Sequence, residues 1–277
     1  MPAVNTPEPA PLRETLDRVD PDLYYFTMGL APDEPAPDWR GPPFMADDGP
    51  DFLRGAMAAT REQWSLTDRD LALAVVGDYA WWVGGPAVAC YVLARRVPDV
   101  APENLTFRHA ETGRISEVAL LSGRFAALPT DPAADPAVTT LDDEAALLGW
   151  LRGRLVAGLE PLVELVRANV RASRRLMWTR ATDLLAQSML TVARAAPDSG
   201  RYADDAAALV SHPGSLLAGK TGFFNVQDNG REHSFMVRGV CCNGFRLPGH
   251  GYCDSCPALS EQERQRRALE SLAGRGQ

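Results

Sequence analysis

A chain of 277 residues that is 45% hydrophobic can bury one substantial core or two modest ones, which excludes disorder of the whole. Its 28 lysines and arginines against 36 aspartates and glutamates leave a net charge of -8. That balance argues against broad nucleic-acid binding, which needs a basic footprint, so no nucleic-acid partner is expected.

The opening MPAVNTPEPAPLRETLDRVD is acidic and proline-rich, with neither a basic head nor an apolar run. It does not read as an export signal, and a cytoplasmic location is expected. A short helix is predicted around Leu12 to Met28. The stretch APDEPAPDWRGPPFMADDGPD then holds six prolines from Pro32 through Pro50 and reads as a linker or surface loop. From Ala56 to Arg96 the pattern is largely helical, interrupted at WSLTDRD, where Thr67 suits the N-cap of a new helix. Between Leu71 and Ala94 only Asp78 is charged, and the length alone would suffice to span a membrane. Asp78, the Gly84-Gly85-Pro86 run and the lack of a second such stretch point instead to a broken, buried helix pair. Trp81 and Trp82 suit a substrate pocket or the core equally. Cys90, in PAVACYVLARR, reads as a small buried hydrophobe.

NLTFRHAETGRISEVALLSGRFAALP reads as a small antiparallel sheet, with a turn at Glu111-Thr112-Gly113 and Val118, Leu120 and Phe125 turned inward. Two helices follow. The first has Leu147, Leu151, Leu155, Leu162 and Val166 on one face and Pro161 as a potential kink. The second runs from about Ser173 to Ala196, with Leu185, Met189 and Val192 buried. Seven arginines lie between Arg152 and Arg180 against two acids, Glu160 and Glu164. Arg171, Arg174 and Arg175 gather near the junction of these helices. Such a junction suits a solvated helix surface, an oxygen-rich ligand or an acidic partner protein. GFFNVQDNGREHSFMVRG is predicted as a hairpin turning at Asp228-Asn229-Gly230, and SEQERQRRALESLAGRG as a final helix with Ser260 and Glu263 forming a capping box. The fold class is therefore α+β, mostly helical with small antiparallel sheet elements and a C-terminal cysteine-rich cluster loop. Three regions are expected: an N-terminal helix and proline-rich segment over 1–56, a mixed substrate-binding region over 57–222, and a hairpin, cysteine segment and terminal helix over 223–277. No phosphate loop, serine nucleophile or paired acid and base is evident, and no catalytic side chain is assigned.

The most informative run is CCNGFRLPGHGYCDSC. Four of the chain's five cysteines, Cys241, Cys242, Cys253 and Cys256, fall there with the spacing CC-x10-C-x2-C. Four thiolates suit zinc or an iron–sulfur cluster. Only Cys253 and Cys256 match the usual zinc chelate loop, and adjacent cysteines are awkward ligands for a single tetrahedral ion. A two-iron cluster divides its ligands between two irons and eases that difficulty. His250 lies inside the run as an alternative ligand, and Arg238 would set a positive charge beside the cluster.

The segment RGVCCNGFRLPGHGYCDSCP resembles the C-terminal signature of the FhuF-like siderophore-iron reductase family. The resemblance is close from Arg238 to Pro257, and Phe245 stands where a tyrosine-like ring is frequent in that family. It implies a [2Fe-2S] cluster on Cys241, Cys242, Cys253 and Cys256, and one-electron reduction of a ferric siderophore, commonly of hydroxamate type, releasing Fe2+. It also implies an external electron donor, such as a ferredoxin-like or flavin reductase protein, and leaves room for a transient association with the inner membrane. Three alternatives stay open: a [2Fe-2S] electron-transfer protein with a protein acceptor, a zinc-stapled binding protein, and a ferric-siderophore binding or synthesis-related scaffold that transfers no electron.

Overall fold

The computed structural model describes residues 11–19, 26–32, 38–45, 47–111, 114–133, 138–194, 201–246 and 249–274. The first helix, α1, is short, Pro11–Leu16, and the chain is already extended at β1, Gly29–Leu30. Part of the helix expected over Leu12 to Met28 is therefore not formed, and part of that run lies outside the described residues. The second helix, α2, spans Gly49–Trp64 and begins inside the proline-rich run. Pro50 falls in its first turn, where a missing N–H breaks no helical bond. It stops at Ser65, whose φ of 51° is left-handed.

Thr67 then caps the next helix as expected, its hydroxyl accepting from the Asp70 amide at 3.2 Å. From Asp68 to Ala94 the backbone stays helical, as α3 (Asp68–Tyr79), a π turn (Ala80–Gly84) and α4 (Gly85–Ala94). The predicted break at Gly84-Gly85-Pro86 is thus corrected. The widened π turn accommodates a proline that an α-helix would resist, so the helix continues. Gly84 is needed for packing: a Cβ there would sit 2.2 Å from Leu185 Cδ2. By length and composition this segment could cross a membrane, yet 72% of its most apolar stretch is buried within the protein. Cys90 lies in that interior, and burial pushes its thiol up to about 12.

Helix α5, Glu144–Asn169, is capped by Asp143 and passes through Pro161. The five residues predicted to share its inner face are all buried. Helix α6, Arg174–Ala193, is the central element, packed by α3, α4, α5 and α7 (Arg201–Ser211). Leu185, Met189 and Val192 are fully buried, as their spacing predicted. Arg152 of α5 donates to the carbonyls of Ala208 and Leu209 at the end of α7, satisfying groups a helix terminus leaves free.

The strands are small. β3 (Leu105–His109) and β4 (Ile115–Leu120) are antiparallel, with β1 parallel to β4. β2 (Arg96–Pro98) is antiparallel to β5 (Phe125–Ala127), which runs parallel to β6 (Val138–Thr140). Among the described residues two of the three sheets are therefore mixed, and part of the Glu111-Thr112-Gly113 turn lies outside those residues. The hairpin β7 (Gly222–Asp228) and β8 (Arg231–Val237) forms, with its turn at the predicted place. Asn229 and Gly230 have φ of 49° and 74°, the left-handed pair such a turn requires. Helix α8, Glu261–Ala273, packs on it through Ala268, Val226 and Phe235. Ser260 accepts from the Glu263 amide at 3.2 Å, but Glu263 turns to Arg266 and Arg267, so only half of the capping box forms. The α+β class holds. The cysteine-rich cluster loop does not: after β8 the chain is irregular, with one 3₁₀ turn at Gly244–Arg246 and no metal-holding group among the described residues.

Arg96 ties the N-terminal helix to this body. It forks onto both oxygens of Asp131 at 2.7 and 2.8 Å and donates to the Pro11 carbonyl at 2.7 Å. The Arg96 hydrogen bonds hold the Asp131 carboxyl below its usual value of 3.8. Asp131→Asn should cost about 3 kcal/mol in denaturant unfolding, the low end for breaking a largely buried pair. A lowered carboxylate pKa stabilises above the unfolded value and loses that contribution as pH falls through the folded one. The gap between wild type and variant should therefore hold at pH 7 and close on acidification below 3.8.

Candidate functional site

Where α3, the π turn and α6 meet the loop after β8, a cleft of about 580 Å³ opens. Its walls carry Asp78, Trp81 and Trp82 from the long helix, Arg180 and Gln187 from α6, and Arg238 and Cys242 from the loop. The π turn covers both tryptophans, and an extra residue per turn re-aims side chains relative to a regular helix.

A buried carboxylate anchors the strand end before the loop, and Arg69 holds the loop itself by donating to the Cys241 carbonyl at 2.6 Å. Asp183 of α6 accepts from the Thr221 hydroxyl at 2.6 Å, the Gly239 amide at 2.8 Å and the Val240 amide at 3.2 Å. Burial pushes its pKa up, while these donors hold it down without reversing the shift. The strand end that precedes Cys241 is thus bonded to the central helix on both sides of the hairpin.

One turn before Asp183 stands Arg180. Its Nε and Nη1 are buried and lack a hydrogen-bond partner among the described residues. Burial, and then the neighbouring Arg238, lower its pKa to about 10. Gly77 leaves space for this guanidinium, since a Cβ there would lie 3.0 Å from Arg180 Nε. Arg238 donates to Gln187 Oε1 at 2.6 Å and approaches Cys242 Sγ at 3.8 Å. The acids of the wall are engaged elsewhere. Asp78 pairs with Arg114, and Asp70 with Arg69 and the Asn243 side-chain amide. Burial pushes the Asp78 carboxyl up, although Arg114 opposes it.

Cys241, Cys253 and Cys256 lie near one another, while Cys242 is turned to the cleft. Cys242 faces the cleft, and its thiol pKa is lowered: burial raises it, but the Gly244 amide and the charges of Arg180 and Arg238 outweigh burial. Cys241 instead accepts from the Asn243 amide at 3.4 Å. Cys256 is buried near Cys241 and Cys253, and its thiol is raised, first by burial and then by those neighbours. Even so, no group of three or more His, Cys, Asp or Glu side chains among the described residues is arranged to hold a metal ion. Adjacent side chains leave the backbone in different directions, and Asn243, with φ of 59°, turns the chain directly after them. His250 lines the cleft and does not complete a ligand set. The expected [2Fe-2S] cluster on Cys241, Cys242, Cys253 and Cys256, the zinc staple, and with them reductase activity routed through such a cluster, are therefore corrected.

At the arginine junction, the solvated-surface reading is the one the contacts fit. Arg174 binds Glu160 at 2.8 Å and Glu164 at 2.6 Å, and Arg154 lies 3.2 Å from Asp99. These are surface and structural pairs. Arg174 and Arg175 do line a second cavity with the buried Trp178, but the cations that face the large cleft are Arg180 and Arg238. Arg180 and Asp183 were not singled out from sequence. A signal existed, because Asp183 is the one charged residue in ATDLLAQSMLTVA, as Asp78 is between Leu71 and Ala94.

Residues 74–217, just over half of the chain, match the family model described as ferric iron reductase FhuF-like transporter, and the chain belongs to that family. The match takes in the second half of α3, the strands β2 to β6 and helices α4 to α7, and stops short of the cysteine loop that carried the resemblance. No curated protein matches the chain.

Asp183→Asn would set an amide donor against backbone donors. It should cost about 1–3 kcal/mol through unsatisfied buried groups and speed alkylation of Cys241 and Cys242, read by peptide mass spectrometry. Unchanged stability and labelling would show that the loop is held by other contacts.

Proposed function

We propose that this FhuF-like chain binds a ferric siderophore in the cleft between α3, α6 and the loop after β8, as part of the ferric-iron handling its family description names. The observation that carries the reading is one wall joining two indole rings to two under-compensated arginines. The cleft volume, about 580 Å³, falls within the roughly 300–1,000 Å³ typical of small-molecule sites. A ferric chelate presents apolar linker and oxygen-rich faces around its metal. Indole faces suit the linker, and guanidinium groups suit the oxygens.

The family match supports this placement, since Asp78, Trp81, Trp82, Arg180 and Gln187 all lie inside residues 74–217. The residues of this chain bind and orient. Trp81 is braced by an edge contact with Phe26, ring centres 5.3 Å apart. Gln187 orients Arg238 across the cleft. The iron travels as cargo, held by its own chelator.

Titrating the protein with a ferric siderophore should quench tryptophan fluorescence saturably. Trp82→Ala should weaken binding about tenfold, equivalent to about 1.4 kcal/mol. Arg174→Gln, at the arginine junction, should leave the affinity unchanged. Absence of saturable binding by any ferric siderophore tried, or equal losses in both variants, would sink the proposal.

A further inference from the structure

The charges facing the cleft do not cancel. Asp78 is taken by Arg114, and Asp70 by Arg69 and Asn243. Asp183, behind the wall, turns its oxygens to Thr221, Gly239 and Val240. Arg180 keeps two buried nitrogens without partners, and Arg238 keeps a buried Nε in the same condition. The neutral Gln187 and the sulfur of Cys242 are the side-chain partners Arg238 has found. With Cys242 as the thiol, the lining of the cleft sets three arginines, Arg114, Arg180 and Arg238, against two aspartates, Asp70 and Asp78.

Two guanidinium groups held side by side repel each other, and burial weakens the screening that water would supply. A ligand oxygen bearing negative charge relieves both costs, since guanidinium forks fit carboxylate geometry. We infer that the cleft takes ferric chelates of net negative charge, those with carboxylate or catecholate oxygens, in preference to neutral or cationic trihydroxamates. This rests on the ferric-siderophore reading above and narrows its ligand class. The lowered pKa of Arg180 is what an unmatched cation in such a place should show.

Calorimetric titration with gallium(III) complexes tests it, because gallium keeps the charge and shape of the ferric complex without redox change. Three probes suffice: an anionic citrate-centred dihydroxamate, a neutral cyclic trihydroxamate and a cationic linear trihydroxamate. The anionic complex should bind at least tenfold more tightly than the cationic one, with the margin shrinking as salt is raised. Arg238→Gln should erase the margin, while Arg180→Lys, which keeps the charge, should preserve most of it. Binding of all three with equal affinity, or tighter binding of the cationic complex, overturns the charge preference and leaves the siderophore reading standing. Failure of every complex to bind overturns both.

Discussion

The buried carboxylate of Asp183 is the constraint on which the cleft depends. A charged group in the middle of a central helix is costly unless donors surround it, and here the donors come from a distant part of the chain: Thr221 before the hairpin, Gly239 and Val240 after it. Satisfying Asp183 therefore fixes the hairpin and its following loop against α6. Arg238 and Cys242 reach the cleft because of that attachment. Removing the acid would leave backbone amides without acceptors, so the loop and the helix interior share one energetic fate.

The long helix supplies the opposite wall by a related economy. Its π turn keeps Pro86 inside a continuous helix and carries Trp81 and Trp82 at the level of Arg180 and Gln187. Close approach to α6 is possible because Gly84 and Gly77 present no side chain, the first to Leu185 and the second to Arg180. A helix with ordinary residues at these two places would stand further off. Arg180 would then have to shift its guanidinium away from the long helix.

Much of this was legible in the sequence wherever the signal was local. The hairpin at Asn229-Gly230, the cap at Thr67, the buried face of α5 and the core of α6 all follow from turn chemistry or helical period. What was not legible depended on partners far along the chain. The apolar run at Gly84-Gly85-Pro86 reads as a break until Leu185 is seen against it. Arg174 reads as a solvated helix residue or a ligand contact until Glu160 and Glu164 are seen around it. The cysteine spacing was the strongest pattern in the chain, but a spacing fixes reach and leaves side-chain direction open. The turn at Asn243 sends neighbouring thiols into different surroundings.

Arginines are common on this protein, and the same chemistry has two outcomes in it. Arg96, Arg154 and Arg174 each meet carboxylates and serve to join elements. Arg180 sits between Asp78 and Asp183, both within its electrostatic reach, yet each of those acids spends its hydrogen bonds on other donors. The difference is one of competition. Arg114 forks onto Asp78 through two nitrogens, and backbone amides that cannot move claim Asp183, so the guanidinium between them is left with long-range attraction alone. A fold that needed Arg180 only for stability could have placed an apolar side chain there at lower cost. An unmatched cation retained at the wall of this cleft is the arrangement expected where the missing partner arrives from outside.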